Sequence, residues 1–303
     1  MTEDPNPLLE KLGYPSDARL VIFHADDVGM CHGSNQAYID LMRAGILKTG
    51  SVMVPCPWSS ELVSHVAKHP ELDLGVHLTL NSEWTGYRWG PITTRDPASG
   101  LLDETGNFWH RPPMTRPHMN LAAAVTEFRA QIELVVRAGI DFTHIDNHMG
   151  IAFFPELFTD YVEFGFEYRV PVLVIRHIDD YATSLGFGGH DDAEWAQFVR
   201  ALEARGMPLV DHFRITPGYH VTDAEGGRAP LYERMLHDLP PGITYFSLHP
   251  NAPGDIETIG PDRAFWRTFE YQYLQSDRLR HFLEAERIVP ISCRELRDVM
   301  RSV

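Results

Sequence analysis

The sequence predicts an α/β fold in which residues 1–303 form a single domain, a distorted TIM-like (β/α) barrel. Short apolar segments rich in β-formers alternate with helical segments about eight times, which is typical of parallel strands joined by right-handed crossovers. Several strand segments are apolar throughout, as expected where both faces of a sheet are buried. An open doubly wound sheet is the second interpretation. No GxGxxG motif follows the first strand, so a dinucleotide site is not favoured.

The individual elements are predicted from hydrophobic patterns and from the residues that cap or end helices and strands. Strands are predicted over residues 19–25, 49–54, 74–80, 142–147, 170–176, 208–213, 244–248 and 287–292. The clearest helix runs from an Asn120 cap to Gly139, and another begins at a Ser34 or Asn35 cap and ends at Gly45. Further helices are predicted over 154–166, 192–206 and 261–286.

One long segment interrupts the alternation. Residues 82–118 (the inserted segment) are rich in Pro, Gly, Trp and Arg and show no clear element. A loop of this length inside a compact domain is usually functional or disordered. Disorder is disfavoured by five aromatic residues: Trp84, Tyr87, Trp89, Phe108 and Trp109. We therefore predict an inserted loop that faces the substrate, and shorter loops over 178–192 and 216–229.

Composition excludes some partners and favours one compartment. The formal net charge of -16 argues against nucleic acid or an anionic membrane as a partner. The three cysteines form no CxxC pair, which favours a reducing cytoplasm. The N-terminus lacks the apolar core of a secretory signal, and no apolar stretch approaches the roughly 18 residues of a membrane span. We expect a cytoplasmic protein, with a homodimer as one possible assembly because parallel barrels often oligomerise.

Polar residues recur where four of the predicted strands end. They are Asp26 and Asp27 after the first strand, His77 on the third, His144, Asp146 and His148 on the fourth, and His249 after a late strand. The three residues of the fourth strand alternate, so they share one face. Taken alone, an Asp pair often caps a turn and a lone His often bonds to a backbone carbonyl. The carboxyl ends of barrel strands lie on one face, however, so the coincidence favours an active site.

The residue types point to a metal centre. Two imidazole nitrogens and one carboxylate oxygen suit Zn²⁺ or another divalent ion, with open positions for water and substrate. Such an ion polarises a carbonyl and lowers the pKa of bound water. The cluster has a carboxylate and an imidazole to spare for proton transfer, so we predict metal-assisted hydrolysis.

Four motifs resemble those of a known family. HADDVGMCHGSNQAYIDLMRAGILKTGSVMV resembles the first motif of the YdjC-like carbohydrate deacetylases, which include chitooligosaccharide deacetylases and hopanoid-biosynthesis-associated deacetylases. LGVHLTLN, THIDNH and SLHPN resemble the later motifs, in the same order along the chain. The resemblance implies a distorted TIM-like barrel, a divalent metal, and hydrolysis of an N-acetyl group on an amino sugar to acetate and a free amine.

The resemblance also implies roles for individual residues. The metal ligands would be Asp27, His77 and His148, and the ion would be Zn²⁺ or Mg²⁺, with Mn²⁺, Co²⁺ and Ni²⁺ also open. Asp26 would be the general base, and His249 the general acid that protonates the departing amine. Around these ligands would lie His144 and Asp146, the latter able to orient a ligand imidazole.

The chain departs from the family pattern at three places. His24 replaces an Asn common before the Asp pair, Asn147 stands where Ser is common, and MGIAFFP follows His148 where further histidines are common. The last departure argues against a chitobiose-like substrate but not against the metal centre.

Three other functions share part of this pattern. An amidase or deformylase acting on a non-sugar N-acyl substrate would use the same chemistry. A non-catalytic, metal-containing sugar-binding protein would not need a spare base and acid such as Asp26 and His249. A phosphate-handling enzyme is disfavoured by the acidic charge and by the lack of a Gly-rich phosphate loop.

Overall fold

The computed structural model describes residues 6–179, 183, 191–216 and 227–302. Its strands are β1 Arg19–Val28, β2 Thr49–Val52, β3 Leu74–Leu78, β4 Ile145–Asn147, β5 His212–Ile215, β6 Gly242–Leu248 and β7 Ile288–Pro290. Its α-helices are α1 Pro7–Lys11, α2 His32–Ala44, α3 Ser59–Val66, α4 Pro112–Thr115, α5 Leu121–Arg137, α6 Pro155–Tyr168, α7 Asp192–Ala204, α8 Ala229–His237, α9 Asp255–Ile259, α10 Pro261–Leu274, α11 Asp277–Glu286 and α12 Cys293–Arg301. Short 3₁₀ helices cover Pro97–Ser99 and His148–Phe153.

The strands form one curled parallel sheet in the order β4-β3-β2-β1-β6-β5. The strand β7 pairs with the beginning of β1, and β2 pairs with the later part of β1 from His24 onward. Isolated parallel bridges join residues 170–176 to β4 at Ile145 and to Val210, which precedes β5. The predicted distorted TIM-like (β/α) fold is therefore confirmed.

The distortion lies where the sequence predicts the fifth strand, and that prediction was wrong. Residues 170–176 form only isolated bridges, at Val172 and Ile175, although their side chains are buried. Pro171 has no N–H group to donate, which interrupts a regular ladder at this position. Its carbonyl still accepts a hydrogen bond from the backbone N–H of Ile145 at 3.0 Å.

Other boundaries also differ from the sequence predictions. The strand β5 begins at His212, later than predicted, and the predicted helix over 261–286 is two helices. The break falls at Ser276, whose hydroxyl caps α11 by accepting from the backbone N–H of Leu279. The cap of α2 is Cys31, because Ser34 lies inside the helix and its hydroxyl accepts from the Cys31 N–H. The predicted Asn120 cap of α5 is confirmed.

The inserted segment contains little regular structure but is well packed. Trp84, Trp89 and Phe108 are buried. The Glu127 carboxylate on α5 accepts hydrogen bonds from the backbone N–H groups of Ile92 and Thr93 at 3.0 Å each. These bonds hold the segment against α5. The predicted loops over 178–192 and 216–229 lie largely outside the described residues.

Along the described chain, no helix combines the length and the apolarity that a membrane crossing requires.

Candidate active site

The strand β1 delivers two adjacent carboxylates to the same side of the sheet. Leu20 and Ile22 pack inside the barrel, and by alternation His24 and Asp26 continue this inner face. Asp27 would then face outward, but its φ of 59° is left-handed and turns its carboxylate inward as well. This conformation is uncommon for a residue other than glycine and often marks a functional site.

Three of the predicted site residues converge on one point. Asp27 Oδ1 lies 3.1 Å from His148 Nδ1 and 3.6 Å from His77 Nε2. All three side chains are buried, and their ligand-type atoms lie within 4.8 Å of one another. The elements that carry them are β1, β3 and the start of the 3₁₀ helix after β4.

The chemistry of this cluster fits a divalent cation. Asp27 Oδ1 is buried, and no described residue, the two neighbouring imidazoles included, gives it a hydrogen bond of acceptable geometry. A buried carboxylate oxygen without a donor is costly unless a cation accompanies it. Two imidazole nitrogens and one carboxylate oxygen facing a shared point make a ligand set typical of catalytic metals.

Each imidazole of the cluster has a carboxylate behind it. His77 Nδ1 lies 2.9 Å from Asp146 Oδ1 and 3.1 Å from Ser51 Oγ, so Nε2 is left to face the centre. His148 Nε2 lies 2.9 Å from Glu83 Oε2, so Nδ1 faces the centre. Such outer carboxylates fix the tautomer and orientation of metal-bound histidines.

Glu83 was missed by the sequence analysis. It opens the inserted segment, five residues after the end of β3, and its side chain is 3% exposed. Its position just after a strand that carries a predicted ligand, His77, is a signal that could have found it.

Arg267 on α10 was also missed. Its Nη2 donates to Asp27 Oδ2 at 2.8 Å, and both side chains are almost completely buried. Burial would raise the pKa of the Asp27 carboxyl, but Arg267 and the imidazoles of His148 and His249 hold that pKa well below its usual range. Asp27 is therefore an anion at neutral pH. No sequence pattern places an arginine 240 residues away beside it.

Asp26 and His249 lie beside this cluster. Asp26 Oδ2 accepts from the Ser247 hydroxyl at 2.6 Å, and His249 Nε2 lies 3.9 Å from the same oxygen. His249 packs edge-on against Trp266. Burial lowers the pKa of His249 to about 4, and Arg267 adds to this effect, so its imidazole is neutral at neutral pH.

A cavity of about 730 Å³ opens over these groups. It is large enough for a sugar or a small oligosaccharide. Its polar lining includes Asp26, Asp27, His77, His148, His249, Arg111, Arg263 and Arg267. Its apolar and aromatic lining includes Phe153, Phe154, Leu173, Phe213, Ile215 and Trp266. Arg111 comes from the inserted segment, and the prediction that this segment faces a substrate stays a prediction.

His144 does not reach the cluster around Asp27. Its Nε2 lies 2.8 Å from His24 Nε2, deeper in the barrel, while Asp146 reaches both His77 and this second group. The structure thus brings together every predicted site residue except His144, which contacts the site through His24.

The sequence of this chain matches a known protein family. A family model described as YdjC-like protein matches residues 20–285. The chain belongs to the YdjC-like family. The resemblance stated from the motifs is thereby confirmed.

Individual relatives extend the similarity over almost the whole chain. A carbohydrate deacetylase of Thermus thermophilus is 31% identical over 97% of this chain and 99% of its own length. A carbohydrate deacetylase of Brevibacillus brevis is 30% identical over 91% of this chain and 99% of its own length. A solved structure from Enterococcus faecalis, named for cellobiose-phosphate cleavage, superposes with a TM-score of 0.69 at 20% identity, covering 92% of this chain and 99% of its own. This last likeness concerns the fold.

Proposed function

We propose that this protein is a metal-dependent N-deacetylase that hydrolyses the N-acetyl group of an amino sugar or an N-acetylated oligosaccharide. The observation that carries the proposal is one cavity lined by a two-histidine, one-carboxylate cluster together with a second carboxylate and a further imidazole. The names of the two full-length relatives support a carbohydrate substrate.

Asp27, His77 and His148 would hold the ion. When bound, a divalent ion supplies a Lewis acid for the acetamide carbonyl and lowers the pKa of a bound water. Two imidazole ligands favour Zn²⁺, and also suit Mn²⁺, Co²⁺ and Ni²⁺, whereas Mg²⁺ prefers oxygen ligands.

Asp26 is the group that takes a proton from the attacking water. Its side chain is 13% exposed and lines the cavity, and its Oδ2 accepts a hydrogen bond from the Ser247 hydroxyl. As the water oxygen bonds to the carbonyl carbon, its proton passes to the Asp26 carboxylate. The acetyl carbon then carries both oxygens of the future acetate.

His249 completes the reaction at the leaving nitrogen. Since His249 is neutral at rest, the proton that it donates is the one collected by Asp26, whose Oδ2 lies 3.9 Å from His249 Nε2. The C–N bond breaks as the nitrogen receives this proton, and Asp26 is ionised again. The second proton of the water leaves with the products, which are acetate and the protonated amine at neutral pH. Base and acid thus act as a pair that shares one proton.

The test is acetate release from a panel of N-acetylated sugars and of non-sugar N-acyl amides. Wild type is compared with Asp26→Asn and His148→Ala, each after chelation and after addition of Zn²⁺, Mg²⁺, Mn²⁺, Co²⁺ or Ni²⁺. The exposed residues Asp160 and His281 supply matched controls, Asp160→Asn and His281→Ala. We expect metal-dependent acetate from at least one sugar, loss of turnover in Asp26→Asn with metal retained, and loss of metal in His148→Ala.

Two results would contradict the proposal. Turnover confined to non-sugar amides would make the protein an amidase that uses the same site. Bound metal without turnover of any amide would favour a sugar-binding protein. The predicted homodimer stays a separate prediction, to be checked by the mass of the protein in solution.

A further inference from the structure

The chemistry proposed above leaves His24 without a role. The side chain of His24 is fully buried beneath the cavity. Its Nδ1 lies 2.5 Å from Asp26 Oδ1 and its Nε2 lies 2.8 Å from His144 Nε2. A histidine between the candidate base and a second buried histidine needs a physical account, because buried polar groups are expensive unless they are bonded.

The hydrogen positions in these contacts can be worked out from Thr143, which lies at the end farthest from Asp26. The Thr143 hydroxyl donates its single hydrogen to Asp73, so its oxygen accepts from His144 Nδ1, 2.9 Å away. Burial lowers the pKa of His144 to about 3, so its ring is neutral and carries its one hydrogen on Nδ1. His144 Nε2 is therefore an acceptor, and the hydrogen between the two rings belongs to His24 Nε2.

The other nitrogen of His24 faces the candidate base. His24 Nδ1 and Asp26 Oδ1 lie 2.5 Å apart, within hydrogen-bond distance. The Ser247 hydroxyl donates to the other oxygen, Oδ2, at 2.6 Å. Two hydrogen bonds, one on each oxygen, fix the plane of the Asp26 carboxyl group relative to the cavity.

A second metal centre is the rival account of the same residues, because His24, His144 and Asp146 also place ligand-type atoms close together. Asp146 Oδ2 already accepts from the hydroxyls of Ser51 and Tyr245, at 3.0 and 2.9 Å, and it lies 3.7 Å from His24 Nε2. Both His24 nitrogens and both His144 nitrogens have hydrogen-bond partners. The geometry favours a hydrogen-bonded chain over a site for an ion.

Packing holds both rings in place. Tyr245 stacks on His24 with ring centroids 4.7 Å apart. The His144 ring lies so close to the backbone of β3 that a Cβ at Gly75 would overlap it. Any side chain at position 75 would displace His144.

We propose that His24 is a positioning residue for Asp26, with its ring held in place by the contact of Nε2 with His144. The inference rests on the proposed deacetylation for its catalytic consequence, but the bond itself does not depend on that function. His24 touches neither the cavity nor the point where Asp27, His77 and His148 converge, so its effect reaches the reaction only through Asp26.

Two replacements of His24 distinguish the hydrogen bond made by Nδ1 from the one made by Nε2. In His24→Asn the amide nitrogen can take the place of Nδ1 and donate to Asp26, whereas in His24→Gln it lies nearer the place of Nε2. We expect kcat of His24→Asn to stay within about fivefold of wild type, as for a modestly weakened hydrogen bond. We expect kcat of His24→Gln to fall about 10- to 100-fold, as for a misplaced catalytic group. KM and bound metal should not change in either variant, and His281→Gln is the control for an exposed histidine.

A second readout does not need turnover. In protein labelled with ¹⁵N in histidine, we expect the His24 ring signals to shift in Asp26→Asn and to stay unchanged in the control Asp160→Asn. Equal losses of kcat in both His24 variants, a changed KM, a lower metal content, or His24 signals that do not respond to Asp26→Asn would overturn the proposal. A second equivalent of metal that disappears in His144→Gln would replace it by the second metal centre. If wild type releases no acetate while the ¹⁵N result holds, the proposed function fails and the bond from His24 to Asp26 stands.

Discussion

Replacing Glu83 by Gln should weaken metal binding without disturbing the fold. The Glu83 carboxylate is 2.9 Å from His148 Nε2 and is shielded from water, with 3% of its side chain exposed. It is the group that leaves His148 Nδ1 free to face Asp27. The amide oxygen of Gln can still accept from Nε2–H, but the negative charge that makes His148 a stronger ligand is gone.

The size of the effect follows from this geometry. Partners of metal-bound histidines contribute about 10- to 100-fold to metal affinity or activity. Because Gln keeps the acceptor and loses only the charge, we expect a loss near tenfold for Glu83→Gln, which is about 1.4 kcal/mol. Glu83→Leu removes the acceptor as well, and its loss should lie near the hundredfold end of that range.

The assay is titration of chelator-treated protein with Zn²⁺, alongside kcat/KM for acetate release at saturating metal. Glu104→Gln is the matched control, since Glu104 is an exposed glutamate of the same inserted segment. If both Glu83 variants bind Zn²⁺ as tightly as wild type and Glu104→Gln, the inference that Glu83 orients His148 is wrong.

Three further predictions concern Asp27, the proton pair and acid stability. Arg267→Met leaves the buried Asp27 carboxylate without the guanidinium that lies 2.8 Å away, so we expect the free energy of unfolding in urea to fall by about 3 kcal/mol. An unchanged urea midpoint would contradict the importance of this ion pair. Burial lowers the pKa of His249 to about 4, so His249 has no proton to lose between pH 6 and 8. We therefore expect no fall of kcat/KM in that range from this residue. A fall between pH 6 and 8 that is absent in His249→Gln would contradict this prediction. Burial lowers the pKa of His144 to about 3, whereas the pKa of histidine in the unfolded chain is about 6.5. Between pH 6.5 and pH 3 the unfolded chain therefore binds a proton that the folded protein does not, so the protein becomes less stable as the pH falls. From pH 7 to pH 4.5 His144 should account for about 2.5 kcal/mol of that loss, measured as the difference between wild type and His144→Gln.

The sequence predicted those parts of the site that lie on strands or directly after them. Period-two alternation and the shared carboxyl ends of parallel strands bring His77, Asp146 and His148 to one face from the pattern alone. The same logic places Asp26 inward but not Asp27, which by alternation belongs outside and reaches the site only through its φ of 59°. Only the family resemblance gave Asp27 its predicted role.

The position of the remaining site residues cannot be predicted from an alternating pattern of residues along a strand. Glu83 lies in a segment without regular structure, and Arg267 lies on a helix 240 residues from its partner. The strand predicted over 170–176 failed for a related reason. Its apolar residues are buried as predicted, but Pro171 removes a donor from the ladder, so the segment is buried without regular pairing.

The contact between Asp27 and Arg267 joins the first motif of the chain to its last quarter. A nascent chain that has emerged only as far as β5 contains Asp27, His77 and His148, but neither Ser247 nor the arginine that balances the Asp27 carboxylate. In such a chain the left-handed backbone conformation of Asp27 is not stabilised by the ion pair with Arg267. Synthesis of this protein should therefore yield a binding-competent centre only after α10 has left the ribosome, and proteolytic fragments that end before residue 261 should not retain metal.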